Sequence, residues 1–168
     1  MTATLVLIGA PGSGKSSVLE ALSTRLQIDG VAHGSIESEQ LAMGWPLLPG
    51  VVWIAQLTAV LAVQREAGRE RFLIAATTET AAELAGVVAA TGCAASDVLV
   101  VCLSAPPDLV AARITAREPD TWPGKPHLIT HARQLAETMP SLPGIDLVLS
   151  TQGREAADVA TEIAARLG

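Results

Sequence analysis

Gly9-Ala10-Pro11-Gly12-Ser13-Gly14-Lys15-Ser16 places glycines, a lysine and a hydroxyl at the spacing G-x-x-x-x-G-K-[ST]. The chemistry of that spacing is anion binding. Glycines admit backbone conformations that other residues resist, and they let the main chain come close to a ligand. Successive N–H groups then converge, and the helix that follows offers its positive end to phosphate oxygens. Lys15 is expected to reach terminal phosphates and Ser16 to offer its hydroxyl to Mg²⁺. Only two lysines occur in the chain, Lys15 and Lys125, and one of them occupies the position the pattern requires.

Further chemistry-bearing residues follow in order. Glu37 and Glu39 stand two apart after a short apolar segment, so alternation along an extended chain puts both carboxylates on one side. There they either face a ligand crevice, or Glu39 opens the next helix and favours its dipole. Trp45 and Trp53 either pack under a loop or stack on a ring substrate. After the apolar run Arg71-Phe72-Leu73-Ile74-Ala75-Ala76 no aspartate is present to hold Mg²⁺ through water; Thr77, Thr78 or Glu79 are the alternatives there, with Glu79 equally able to cap a helix. Arg113 and Arg117 are four apart and share a helix face, as a solvated stripe or as a clamp on phosphoryl groups. The Pro- and Gly-rich stretch 118–127 reads as a loop, either an ordinary connection or a lid carrying Lys125. His33 reads as a strand residue, and His127 and His131 as surface residues without a third metal ligand nearby in sequence.

The elements that must position these groups are legible from periodicity. Thr4-Leu5-Val6-Leu7-Ile8 is a buried strand, and the segment from Ser17 to Leu26 is a helix with positions 18, 19, 22 and 26 on one face. Strands are expected at 31–36, 71–76, 98–103 and 146–150. Helices are expected over 51–67, 80–91, 108–118 and 154–167, with one more bearing His127 and His131; the segment 40–50 is broken by Gly44, Pro46, Pro49 and Gly50. Alternation of this kind predicts an α/β fold with a five-stranded parallel sheet and helices on both faces, in one domain.

Composition narrows the function. At 168 residues the chain can bury a real core, and with 49% hydrophobic but 2% aromatic residues that core must be aliphatic. A net charge of −6 argues against a nucleic-acid surface. Cys93 and Cys102 have no metal-ligand spacing and imply no disulfide framework. Met1 leads straight into the first strand, and no apolar run has the length of a bilayer span, so a soluble cytoplasmic protein without signal peptide or membrane partner is expected.

On Gly9 to Ser16, the acidic pair Glu37 and Glu39, the pair Arg113 and Arg117 before a lid-like loop, and the turn after the last strand, the chain resembles the small P-loop kinases, the group of adenylate, shikimate and gluconate kinases. The resemblance implies that Gly9, Ala10, Pro11, Gly12, Ser13, Gly14, Lys15, Ser16 and Ser17 bind ATP phosphates with Mg²⁺ on Ser16. It implies that Glu37 contacts or deprotonates an acceptor, that Arg113 and Arg117 neutralise the transferring phosphoryl group, and that Thr151, Gln152 and Gly153 hold the base. Two departures are plain: Glu stands where the family more often has Asp after strand two, and the strand-three Asp is missing. The expected function is ATP-dependent phosphoryl transfer to a small molecule such as a nucleoside, nucleotide or sugar. The alternative is a nucleotide-dependent switch or binding module with no acceptor.

Overall fold

Five aliphatic runs become five strands because their side chains can be covered on both faces at once. A computed structural model describes residues 4–167. The strands are β1 (Thr4–Gly9), β2 (His33–Glu37), β3 (Arg71–Ala76), β4 (Val98–Ser104) and β5 (Leu147–Ser150). They pair in parallel in the order β2-β3-β1-β4-β5. Thr4 lies opposite Phe72 on one side and Val98 on the other, so β1 is the central strand. Leu5, Val6, Leu7 and Ile8 on it are fully buried.

Seven α-helices accompany the strands in the described residues: α1 (Lys15–Ile28), α2 (Ser38–Leu41), α3 (Gly50–Glu66), α4 (Ala81–Ala90), α5 (Pro107–Arg117), α6 (Lys125–Thr138) and α7 (Ala156–Leu167). The pleat divides the strand residues between two layers. Leu5, Leu7, Leu73, Ala75, Val101 and Leu103 pack with Leu19 and Leu22 of α1 and Val159 and Ile163 of α7. Val6, Ile8, Phe72, Ile74, Val100 and Cys102 face the other way, toward Leu57 and Leu61 of α3, Leu84 and Val87 of α4, and Leu135 of α6. Each fully buried leucine or isoleucine contributes about 1.5–3 kcal/mol. Helices on both faces of a five-stranded parallel sheet is the architecture the alternating pattern predicts.

The differences from the sequence reading have local causes. Helix α1 begins at Lys15, two residues earlier than periodicity places it, because Gly14 turns the chain at φ +100° and the helix starts directly behind it. Strand β2 ends on Glu37, and Glu39 lies in the single turn α2 rather than on extended chain. Helix α6 begins at Lys125, so the stretch expected as loop over 118–127 ends at Gly124; Pro126 in its first turn, like Pro107 in that of α5, has the fixed φ that favours a helix start. Helix α7 starts at Ala156, not Arg154. Trp45 does not pack under its loop; it is 90% exposed. No described helix is long and apolar enough to cross a membrane.

Both cysteines are free. Cys102 is sealed inside β4, and burial pushes its thiol up to about 11, the nearby Lys15 charge working weakly against this.

Candidate functional site

The sheet's central strand delivers its carboxyl end to the glycine loop, and the loop closes through Ser13 N donating to Ala10 O at 3.0 Å. Gly12 carries φ +81°, and a Cβ there would sit 2.8 Å from Val110 O of α5, so the loop and α5 pack backbone to backbone. Gly12→Ala is therefore expected to cost about 1–3 kcal/mol from strain and displacement of α5. Urea denaturation measures it; an unchanged midpoint would refute the close packing.

Pro11, Gly12, Gly14, Lys15, Ser16, Ser17, Glu37, Glu39, Ala75, Arg113 and Arg117 surround one cavity of about 230 Å³ at this edge of the sheet. The sequence-predicted lysine, hydroxyl, carboxylates and arginines are thus brought together. Both carboxylates reach it although the chain turns helical between them.

Lys15 is 10% exposed. Its ammonium donates to Gly9 O at 2.8 Å and Ala10 O at 3.4 Å and lies 3.8 Å from Glu39 Oε1. Burial lowers its pKa from 10.5; Glu39 and Glu37 oppose that shift, and Arg117 adds to it. Glu39 also accepts a hydrogen bond from Thr77 Oγ1 at the end of β3. Thr77 is the strand-three residue joined to the cavity, through a carboxylate of the neighbouring strand's turn. Thr78 is fully buried with its hydroxyl unpartnered, and Glu79 is engaged elsewhere, by His131 Nε2 at 2.7 Å. Glu79 does not cap α4; the Thr80 side chain does, accepting from Glu83 N.

The two arginines diverge. Arg113 Nη1 donates to Gly12 O and to Thr151 Oγ1, both at 3.0 Å, and Nη2 donates to Thr151 O at 3.2 Å. Thr151 Oγ1 in turn donates to Ser13 O at 2.9 Å. Arg113 thus fastens the glycine loop to the turn after β5. Arg117 is mostly exposed at the cavity rim, with Nε 2.7 Å from Glu118 Oε1.

Gly14, Ser17, Arg113 and Thr151 also border a second hollow, completed by Arg154 and Glu155. Gln152 and Gly153, expected with Thr151, do not line it; Arg154 and Glu155, which periodicity assigned to the last helix, do. Lys125 is not at the phosphate-loop cavity. It is 7% exposed, and its ammonium donates to Thr115 O, Glu118 O and Asp120 Oδ1 at 2.7–2.8 Å, holding the loop to the end of α5. Lys125 in return holds the Asp120 carboxyl below its ordinary pKa, by the hydrogen bond and by its charge. His33 is a structural residue, with Nδ1 at 2.8 Å from Val31 O and Nε2 at 2.8 Å from Ser23 Oγ. His127 and His131 stack at 6.1 Å, and among the described residues no group of three or more His, Cys, Asp or Glu is placed to hold a metal.

Known proteins supply the context. A family model described as an AAA domain matches residues 5–139, from β1 through α6. No curated protein matches the sequence significantly. Among solved structures, an unliganded sugar kinase from Janibacter is 17% identical with a TM-score of 0.68, covering 99% of this chain and 94% of its own. Shikimate kinase from Acinetobacter baumannii, in complex with shikimate, is 17% identical with a TM-score of 0.62, over 99% of this chain and 93% of its own. The APS kinase of Mycobacterium tuberculosis, in complex with AMPPNP and APS, is 22% identical with a TM-score of 0.65, over 98% and 96%. The chain belongs to the AAA domain family, and its fold is that of the small P-loop kinases.

Proposed function

We propose that the protein is an ATP-dependent phosphotransferase that moves the γ-phosphoryl group to a hydroxyl of a small molecule. The observation that carries the reading is a single cavity lined by the glycine loop, Lys15 and Arg117 together with Glu37 and Glu39. Cations and backbone N–H groups there suit a polyphosphate, and a carboxylate in the same cavity suits a hydroxyl that must lose its proton. Likeness of fold to kinases supports it.

The loop 9–16 and the start of α1 hold the phosphates, with Ser17 beside them, and Thr151 borders the hollow assigned to the base, with Gln152 and Gly153 in the same turn. Ser16 and Glu37 meet in the cavity as hard oxygen donors, which suits Mg²⁺. Ser16 would hold the ion, whose contribution is to neutralise charge on the phosphate oxygens. The acceptor oxygen bonds to the γ-phosphorus as the bond from phosphorus to the bridging oxygen breaks. ADP leaves, and Glu37 takes the hydroxyl proton. Lys15 and Arg117 neutralise the charge that spreads over the transferring group. The loop 118–124 stands beside Arg117 and is assigned as the lid that excludes water.

Coupled ADP release, measured with MgATP alone and with a panel of alcohols, tests the reading. Release stimulated by a particular acceptor supports it. Slow release that no acceptor changes, accompanied by a nucleotide-dependent change of shape, would replace it with the switch reading.

A further inference from the structure

The face of the cavity turned away from the glycine loop bears on what the acceptor is, and the inference drawn from it rests on the phosphotransfer reading. Glu39 borders both the phosphate-loop cavity and a neighbouring one of about 180 Å³, whose other walls are Ser38, Ala42, Trp53, Thr77, Glu79 and Glu83. The two spaces therefore adjoin at the carboxylate 3.8 Å from Lys15, and on the phosphotransfer reading the second is the place for an acceptor beside the γ-phosphate. No lysine or arginine occurs between Arg25 and Arg65, the whole stretch that supplies β2, α2 and most of α3. The other wall, from the end of β3 into α4, brings Thr77, Glu79 and Glu83 and again no Lys or Arg. Two basic groups pair with this wall from outside it, His131 with Glu79 and Lys15 with Glu39, and Glu83 Oε2 accepts from Glu79 N at 2.7 Å. Of the cations at the phosphate side, Arg113 is bound to Gly12 and Thr151, which leaves Lys15 and Arg117 facing the polyphosphate.

An acceptor bearing a carboxylate or phosphate would meet three carboxylates and no lysine or arginine among the residues lining this cavity, and bringing an anion there is costly. An ammonium group would meet the same carboxylates beside Trp53, a set of groups that attracts it electrostatically. Between Ala42 and Trp53, both of which line this cavity, the chain carries exposed Met43, Trp45, Leu47 and Val51, apolar surface open to a hydrocarbon or aromatic portion. We propose that the acceptor is an alcohol without an anionic group, an amine-bearing one above all, with an apolar portion seated toward Trp53.

The test is MgATP-dependent ADP release with alcohols matched on one skeleton and differing in charge. Phenylalaninol, 2-methyl-3-phenylpropan-1-ol and 2-benzyl-3-hydroxypropanoate form one such amine, neutral and carboxylate set, and sets on sugar skeletons extend it. The expected result is stimulation by amine members, weaker stimulation by neutral ones and none by carboxylates or phosphates. In Glu83→Gln the amine-to-neutral ratio of kcat/KM is expected to fall about tenfold, as loss of one charge contact implies, and Glu83→Asp to restore part of it. An unchanged ratio overturns the proposal. Stimulation by an anionic member equal to that of its amine counterpart overturns the acceptor class while phosphotransfer stands. No stimulation by any member, with ATP still bound, overturns the phosphotransfer reading and the acceptor class together.

Discussion

Replacing Lys15 with methionine is expected to lower kcat by 10²–10³-fold or more while leaving the fold close to wild-type stability at neutral pH. The first effect follows from losing a preorganised cation at the site of developing charge, an interaction of about 3–4 kcal/mol in comparable sites. The second follows from two terms of opposite sign. Methionine leaves Gly9 O and Ala10 O without their ammonium donor, yet it also removes a charge that is costly to keep out of water. The net change is expected to stay within about 1 kcal/mol. The pH dependence separates the terms. Burial depresses the Lys15 pKa, so the unfolded chain holds that proton more strongly than the folded one. Protonated Lys15 therefore destabilises the fold at all pH below its folded pKa, and the penalty is relieved as pH rises toward 10.5. Wild type should gain stability relative to Lys15→Met over that alkaline window. Urea midpoints across pH together with ADP release measure both effects; undiminished turnover in the variant would remove the basis of the proposed function.

Much of the site is legible in sequence where a residue type is the only one a backbone path admits. Gly12 at φ +81° against Val110, and Lys15 directly behind a left-handed Gly14, are of that kind. Strands β1 and β4 are legible because burial on both faces leaves them no polar residues except Thr4 and Ser104 at their ends. What escapes is what depends on strand order and on main-chain partners. Thr77 meets Glu39 because β3 lies beside β2 in the sheet, and nothing in chain order says which strands are neighbours. Lys125 looks available for phosphates, but two of its partners are the carbonyls of Thr115 and Glu118, and a carbonyl leaves no mark on the sequence. Helix α3 is apolar nearly all round, so periodicity gives a helix without saying that only Leu57 and Leu61 are buried. Spacing of four put Arg113 and Arg117 on one face, correctly for the cavity they share, but could not divide their labour.

That division predicts opposite phenotypes for the two arginines. Arg113→Ala removes three hydrogen bonds from a charged donor and strands Gly12 O and Thr151 O between the glycine loop and the turn after β5. Hydrogen bonds to charged groups contribute about 1.5–3 kcal/mol apiece but are not additive, so a loss of about 2–3 kcal/mol is expected, or roughly 4–12 °C in Tm. Because the loop loses its tie to Thr151, nucleotide affinity should fall as well, and KM for ATP should rise more than kcat falls. Lysine should not rescue, since a single ammonium cannot span the two sites that the planar fork bridges. Arg117 is 60% exposed and paired with Glu118, a pair of at most about 1 kcal/mol, so Arg117→Ala should leave Tm within a few degrees. Its cost should appear in kcat, by about 10²-fold or more, because its weak surface pair with Glu118 can give way to the phosphoryl group at the cavity rim. Thermal melts without nucleotide, followed by steady-state kinetics, separate the two. A stable Arg113→Ala protein would mean that the fastening is incidental, and an Arg117→Ala enzyme with full kcat would mean that the rim arginine never meets the transferring phosphate.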